Sequence, residues 1–456
     1  MHLKHLSYWT KITIICCFCT CQKGPYNYND PEFVVPIIQP TGTENYLSNP
    51  SDYIFDQNSL HTFELKLPGS ALHAIDSNPT AEQYVEGMLI FEGDTLSPVG
   101  IRYKGSVGAF VGGVSGPNWA DPSGYKTATK LSMKVKINWK GIDRMFFGLK
   151  KLQFHSQNQD ASQMRERLGY WLFRQMGVAA PRSVHARLLI NGRYYGLYAL
   201  TEQIDGRFTK HHFDDGDGNL YKECWPLNSN GQAKSSFEYR NSLKTNEEDN
   251  LNPTMIASFA QEVASSNSFN LPAILDQWLD MQKIMAYVVT DRAIKHDDGP
   301  FHWYCFGADC APHNFYWYEE PTNKKLHLIP WDLDLAFMNS ITNEHTVTNL
   351  KDDWGITSNN CYPFKYGLLD QKSAACDKLV AGWVSYGGPL YGQIESQVEN
   401  GIFSQNQVNS LINFWASQIR NATIEANNIH NDAIPISYWE WSMEKLKDQT
   451  DYSRNN

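Results

Sequence analysis

The chain has 456 residues, 42% of them hydrophobic and 19% charged, with a formal net charge of −10. This composition suits a globular protein with a substantial core and excludes a disordered chain. The acidic balance argues against a general nucleic-acid binder, which needs a basic face, and the length fits one two-lobed domain or two ordinary ones.

In chain order, the first element is an export signal over residues 1–21. Lys4 and Lys11 precede ITIICCFCTC, an apolar run too short to span a bilayer. Cys21 ends that run and a polar, Pro-containing stretch follows, an arrangement like a lipoprotein leader with Cys21 lipidated and attached to the membrane. Phe18, Cys19 and Thr20 depart from the usual lipobox, so plain cleavage and secretion is the competing reading. Residues 22–50 read as a linker. In an exported chain disulfides are allowed. Cys305 with Cys310 and Cys361 with Cys376 are the local pairs, Cys224 is the free thiol, and the sequence leaves the connectivity open.

From residue 51 to 225 the pattern is mostly that of strands. FELKLP, EGMLIFEGD and VGIRYKG alternate, and in LSMKVKI the residues Leu131, Met133, Val135 and Ile137 share one face while Ser132, Lys134 and Lys136 share the other. MRERLGYWLFRQM predicts a helix from Met164 to Met176 that Gly177 ends. Asn191-Gly192 between ARLLI and YYGLYALTE predicts a hairpin. From 226 to 456 helical periodicity dominates, with one helix expected over 270–295 and more over 380–430. The fold class is therefore α+β, a sheet-rich first lobe followed by a helical second.

KLHLIPWDLDLAF is the most informative stretch. An apolar run ends at Pro330, Trp331 follows, and period-2 spacing places Asp332 and Asp334 on one side of an extended segment. Two hard carboxylates at a strand end suit Mg²⁺ or Mn²⁺.

KKLQFHSQNQDASQMRERLGYWLFRQMGVAAPRSVHARLLINGRYYGLYALTEQIDGRF, with NLYK, KHDDG, HNFYWY and LIPWDLDLAF downstream, resembles the CotH kinase family. The resemblance spans roughly residues 101–337. It implies a minimal protein-kinase-like fold and transfer of phosphate from ATP to Ser or Thr of exported or surface proteins, the chain itself included, with a divalent metal. Phosphoryl transfer needs a metal on the phosphates, a cation against them and a carboxylate to orient the hydroxyl. By resemblance, Asp332 holds the metal, with Asp334 and Asn314 as further ligands. Asp298 is the catalytic acid, with Asp297 as alternate and Asp309 as outside candidate, because the loop between HDDG and the metal motif is longer than expected. Lys134 or Lys136 would be the phosphate cation, paired with Glu166 or, on the better family match, Glu202. Lys222 is another nucleotide contact, and Arg102 and Lys104 belong to a loop over the phosphates. The altered glycine loop keeps open a catalytically weak surface or matrix protein. The aromatic richness keeps open a carbohydrate binder.

His211, His212 and the DDGDG turn lack the EF-hand spacing, His61, His73, His155 and His185 are scattered without ligand spacing, and neither G-x-S-x-G nor HExxH occurs.

Overall fold

The structure, a computed structural model, describes residues 33–117, 121–249, 253–296, 298–307, 309–338, 360–366 and 369–455. The expected export signal, the four cysteines of its apolar run and Asp297 lie outside the described residues.

Seven strands close into a barrel: β1 (His61–Lys66), β2 (Val85–Phe91), β3 (Asp94–Tyr103), β4 (Met133–Lys136), β5 (Lys151–His155), β6 (Ser183–Ile190) and β7 (Arg193–Thr201). Their order is β1-β2-β3-β4-β5-β7-β6, closed by the parallel β1–β6 pair. Alternation decides which residues fill it. Phe63, Leu65, Ile101, Tyr103, Met133, Val135, Leu152 and Phe154 point inward as one apolar core. Each large apolar side chain so buried contributes about 1.5–3 kcal/mol. The β6–β7 turn has Asn191 and Gly192 both at positive φ, as a two-residue hairpin requires.

The outer barrel face is polar on one side. The register opposes Arg102 to Lys134 and Lys134 to Gln153, and one pair further along opposes Gly100 to Lys136 and Lys136 to Lys151. Since same-face residues recur every second position, Lys104 and His155 extend the Arg102 and Gln153 rows.

The second lobe is built on a three-stranded sheet, β12-β11-β8, from β8 (Leu220–Lys222), β11 (Phe315–Glu320) and β12 (Lys325–Pro330). Thus β8, which the sequence groups with the first lobe, hydrogen-bonds to β11. A further sheet runs β10-β9-β14-β13: β9 (His302–Phe306), β10 (Asp309–Ala311), β13 (Phe364–Tyr366) and β14 (Leu369–Ser373). Helices surround both sheets, and Trp225, Trp317, Trp383, Trp415 and Trp439 lie in their common core. Among the described residues no helix is long and apolar enough to cross a membrane. Cys305 bonds Cys310, Cys361 bonds Cys376, and Cys224 is a buried free thiol.

The predicted helix over 270–295 is two helices, Leu271–Trp278 and Met281–Ala293. Leu279 is extended and bridges to Leu326, and the Asp280 carboxylate accepts the amides of Gln282 and Lys283, starting a new helix. The hydrophobic period runs through this break, so only the cap marks it.

Candidate active site

The segment after β12 is held from four sides. The Trp331 amide donates to the Asn314 carbonyl (3.1 Å) and the Phe337 amide to the Ile294 carbonyl (2.7 Å). The Asp332 amide donates to the Tyr170 hydroxyl (3.1 Å), and the Asp332 carbonyl accepts from His296 Nε2 (3.0 Å). Asp332 itself has φ 56°, a left-handed conformation that Asp tolerates. The expectation of an extended WDLD segment is therefore corrected. Strand geometry stops at Pro330, and a turn brings the two carboxylates together.

Gly169 lets this segment sit against the Arg165–Gln175 helix: a Cβ there would lie 2.8 Å from Leu333 Cδ1 and 3.4 Å from its Cβ. Gly169→Val is expected to push the acid-bearing turn outward. Half-saturation by Mn²⁺, followed by thermal shift, should rise about tenfold or more, and an unchanged Mn²⁺ titration would show that Leu333 does not set the turn.

HDDG divides into separate tasks. Asp298 accepts two hydrogen bonds from Asn314 Nδ2, at its carbonyl and at Oδ2 (both 2.8 Å), and Oδ1 lies 3.3 Å from His313 Nε2. His296 is buried and its Nδ1 lies 3.5 Å from Asp291. Burial opposes its protonation, but Asp291 and Asp298 more than offset this and hold the imidazole above its usual value. It thus ties the end of the Met281–Ala293 helix to the Asp332 carbonyl. Gly299 packs on that ring, where a Cβ would meet Nδ1 at 2.6 Å.

The acids converge. Burial pushes Asp334 well above the usual carboxylate range, and Asp332, Glu166, Asp298 and Asp160 push the same way. Asp332 is also raised, by burial first, with Glu166 and Asp298 adding to it while His155 and Lys104 oppose. Among the described residues no group of three or more His, Cys, Asp and Glu forms a ready-made metal cage. A cation that retains waters and is completed by substrate phosphates needs fewer protein ligands. Crowded, half-buried carboxylates with hard oxygen donors fit such an ion.

Opposite them stands a cationic face. Lys104 Nζ lies 2.8 Å from His155 Nε2 and 5.5 Å from the centre of the Trp331 ring. His155 Nδ1 lies 2.7 Å from Glu166 Oε1, which also accepts from Thr201 Oγ1 (3.0 Å). The carboxylate assigns the proton to Nδ1 and leaves Nε2 to accept from the ammonium. Burial lowers Lys104 to about 8, against the pull of Asp332 and Glu166. Burial, then Lys104, Arg102 and Lys151, lower Lys134 to about 7. For Glu166, burial raises the carboxyl, but His155, Thr201 and Lys104 leave it net below its usual value.

The structure brings Asp298, Asp332 and Glu166 within electrostatic reach of Asp334, bonds Asn314 to Asp298, and sets Lys134 beside Lys104 on the barrel face. Lys222 is near enough that its charge disfavours that of Lys104, and its Nζ lies 3.8 Å from Glu223. Other expected residues are engaged elsewhere. Glu202 bonds Arg182 and His212, which pull it far below its usual value despite burial, so its partner is not a strand lysine. Arg102 pairs with Glu82, whose other oxygen accepts the Gly105 amide (2.7 Å), and lies over the Tyr84 ring. Lys136 sits one residue pair further along, beside Lys151. Asp309 is exposed on β10 and accepts from Ser229. Sequence spacing missed His155 and His296 altogether. The signal for His155 was its period-2 place behind Gln153 on β5, legible only once the β4–β5 register is known.

A sequence profile described as CotH kinase protein matches residues 101–454, most of the chain. The chain belongs to the CotH kinase family. No curated relative matches the sequence. Among solved structures, a chain of the Shewanella oneidensis MR-1 toxin–antitoxin complex of HipA, HipB and operator DNA is similar at 10% identity. The match covers 67% of this chain and 60% of that one, with a TM-score of 0.25. Family membership makes this a kinase-like protein of α+β class. In the CotH kinase frame the Asp298, Asp332 and Asp334 carboxylates stand beside the Lys104–His155–Glu166 chain.

Proposed function

We propose that this CotH kinase family member is an active, exported protein kinase that transfers the γ-phosphate of ATP to Ser or Thr of surface or secreted proteins, with Mg²⁺ or Mn²⁺. The observation that carries the reading is a wall of half-buried carboxylates beside a wall of half-buried lysines. Each wall is costly alone, and a metal-bound triphosphate between them neutralises both.

Asp332 and Asp334 would hold the metal, and the Asn314 amide oxygen would add to them while its nitrogen serves Asp298. When bound, the metal neutralises the charge of the phosphate oxygens. Lys104 and Lys134 bind the phosphates from the barrel side, Lys104 being aimed by His155. Asp298 accepts the proton of the attacking hydroxyl as its oxygen bonds to the γ-phosphorus and the bond to the β–γ bridging oxygen breaks. The apolar leader and two disulfides support an exported protein, as does Cys21 for lipid attachment.

The test is transfer from γ-labelled ATP to casein or to the chain itself. Asp298→Ala is expected to cut the rate by about 10²–10⁴. Its thermal shift with ATP and Mn²⁺ should persist, since the residue is not assigned to binding. Wild-type protein that shows a nucleotide-dependent shift but no transfer would turn the assignment to a silent nucleotide-binding member.

A further inference from the structure

A cleft of about 460 Å³ opens on the outer barrel face that also carries Lys134. Lys136 and Lys151, opposed on β4 and β5, form one wall with Lys150. Arg207 and Lys210 of the Gly206–His212 helix, with Lys244, form the other. Two carboxylates line it, and each is already engaged. Asp205 lies 3.5 Å from Lys151, and Asp217 lies 2.7 Å from Lys210. Lys136, Lys150 and Lys244 have no such partner among the described residues, and Arg207 Nε is buried with no hydrogen-bond partner. A chain of net charge −10 has thus gathered unpaired cations in one concave place, where their field is focused.

The cleft adjoins the reacting centre. Lys136 is two residues from Lys134 along β4, about 7 Å. Burial first, and then Glu223, Asp332 and Asp205, disfavour ionisation of the Tyr316 hydroxyl, so Asp205 of the cleft and Asp332 both lie within electrostatic reach of one side chain. The nucleotide phosphates belong where the metal acids face Lys104 and Lys134, which leaves the cleft for something else anionic.

We propose that this cleft binds acidic side chains, Asp, Glu or phosphoserine, that flank the acceptor hydroxyl of a peptide substrate. The proposal rests on the kinase reading and adds the substrate class to it. An extended peptide advances about 3.3 Å per residue, so the acids that reach the cleft lie close to the acceptor in the peptide sequence.

The experiment uses the full chain and three fluorescein-labelled peptides, each with one acceptor Ser flanked by three Glu, three phosphoserines or three Lys. Binding is read by anisotropy without nucleotide, and transfer is read with ATP. The variant is Lys150→Glu/Lys244→Glu, two residues outside the phosphate and metal roles, with its melting temperature as the folding control. Wild-type protein should bind an acidic peptide at least tenfold tighter than the Lys peptide. The double variant should lose about tenfold in that affinity and raise the peptide KM alike. Its KM for ATP should stay within about twofold. A response to the Glu peptide supports intrinsic acids as the ligand; a response to phosphoserine alone supports a previously phosphorylated segment. Equal affinities in both proteins overturn the proposal, as does a raised KM for ATP with an unchanged peptide KM. If no peptide is phosphorylated, the kinase reading fails while anisotropy still decides the cleft.

Discussion

Asp332→Asn is expected to lower phosphate transfer by at least about 10³-fold while raising the melting temperature of the metal-free protein. The loss follows from the assigned role: the amide keeps the shape but removes the charge that holds the cation against the phosphates. The gain follows from the surroundings. Asp332 is half-buried beside Glu166, Asp298 and Asp334; Glu166 and Asp298 disfavour its ionised form, and its own charge disfavours that of Asp334. Removing one charge relieves that repulsion, as happens at sites whose function costs stability. An upward shift of about 2 °C or more is expected. Mn²⁺ should stabilise the wild type and leave the variant unmoved. A variant that keeps a tenth of its activity, or that melts lower with no Mn²⁺ effect lost, would remove Asp332 from the metal site. The backbone hydrogen bonds of Asp332 are unchanged by the substitution, so a collapse of the turn is not a confounding outcome.

Lys104→Ala should cost about 10²–10³ in kcat/KM, with Lys104→Arg restoring part of it. The pH profile carries the sharper test. Burial lowers Lys104 to about 8 and Lys134 to about 7, whereas an unfolded lysine titrates near 10.4. A lysine whose folded value is depressed is charged in the folded state only below that value. Phosphate binding needs the charge, so ATP affinity should fall as pH rises through about 8, well before an exposed lysine would lose its proton. In Lys104→Arg the guanidinium stays charged, and the alkaline fall should flatten. His155→Phe removes the acceptor that aims the ammonium and should weaken ATP binding. An alkaline limb identical in wild type and Lys104→Arg would show that another group governs it.

Local pattern carried much of this protein. The alternation in LSMKVKI separates the barrel core from the cationic face, Asn191-Gly192 makes its hairpin, and Gly177 ends its helix, because each depends on dihedral preference or a period of two or 3.6. The acids were legible for a similar reason: two carboxylates after an apolar run and a proline mark a strand end with hard ligands. The Lys104–His155–Glu166 chain was not legible. Its members come from the end of β3, the end of β5 and a helix, and they meet only because barrel closure sets the β3–β4–β5 register. Glu202 misled for the converse reason. Its neighbours in sequence match the family core, but Arg182 and His212, folded against it, take both its oxygens.

By itself the sequence determined the α+β class, the strand faces and the family, and it named the residues proposed to hold a metal, since these rest on composition, period and contiguous motif. The tertiary structure alone decided which lysine faces the acids, that a left-handed Asp332 replaces an extended one, and that a basic cleft adjoins the gap. Those outcomes depend on register, burial and the charge of residues distant in the chain, and no local pattern encodes the field that such residues exert on one another.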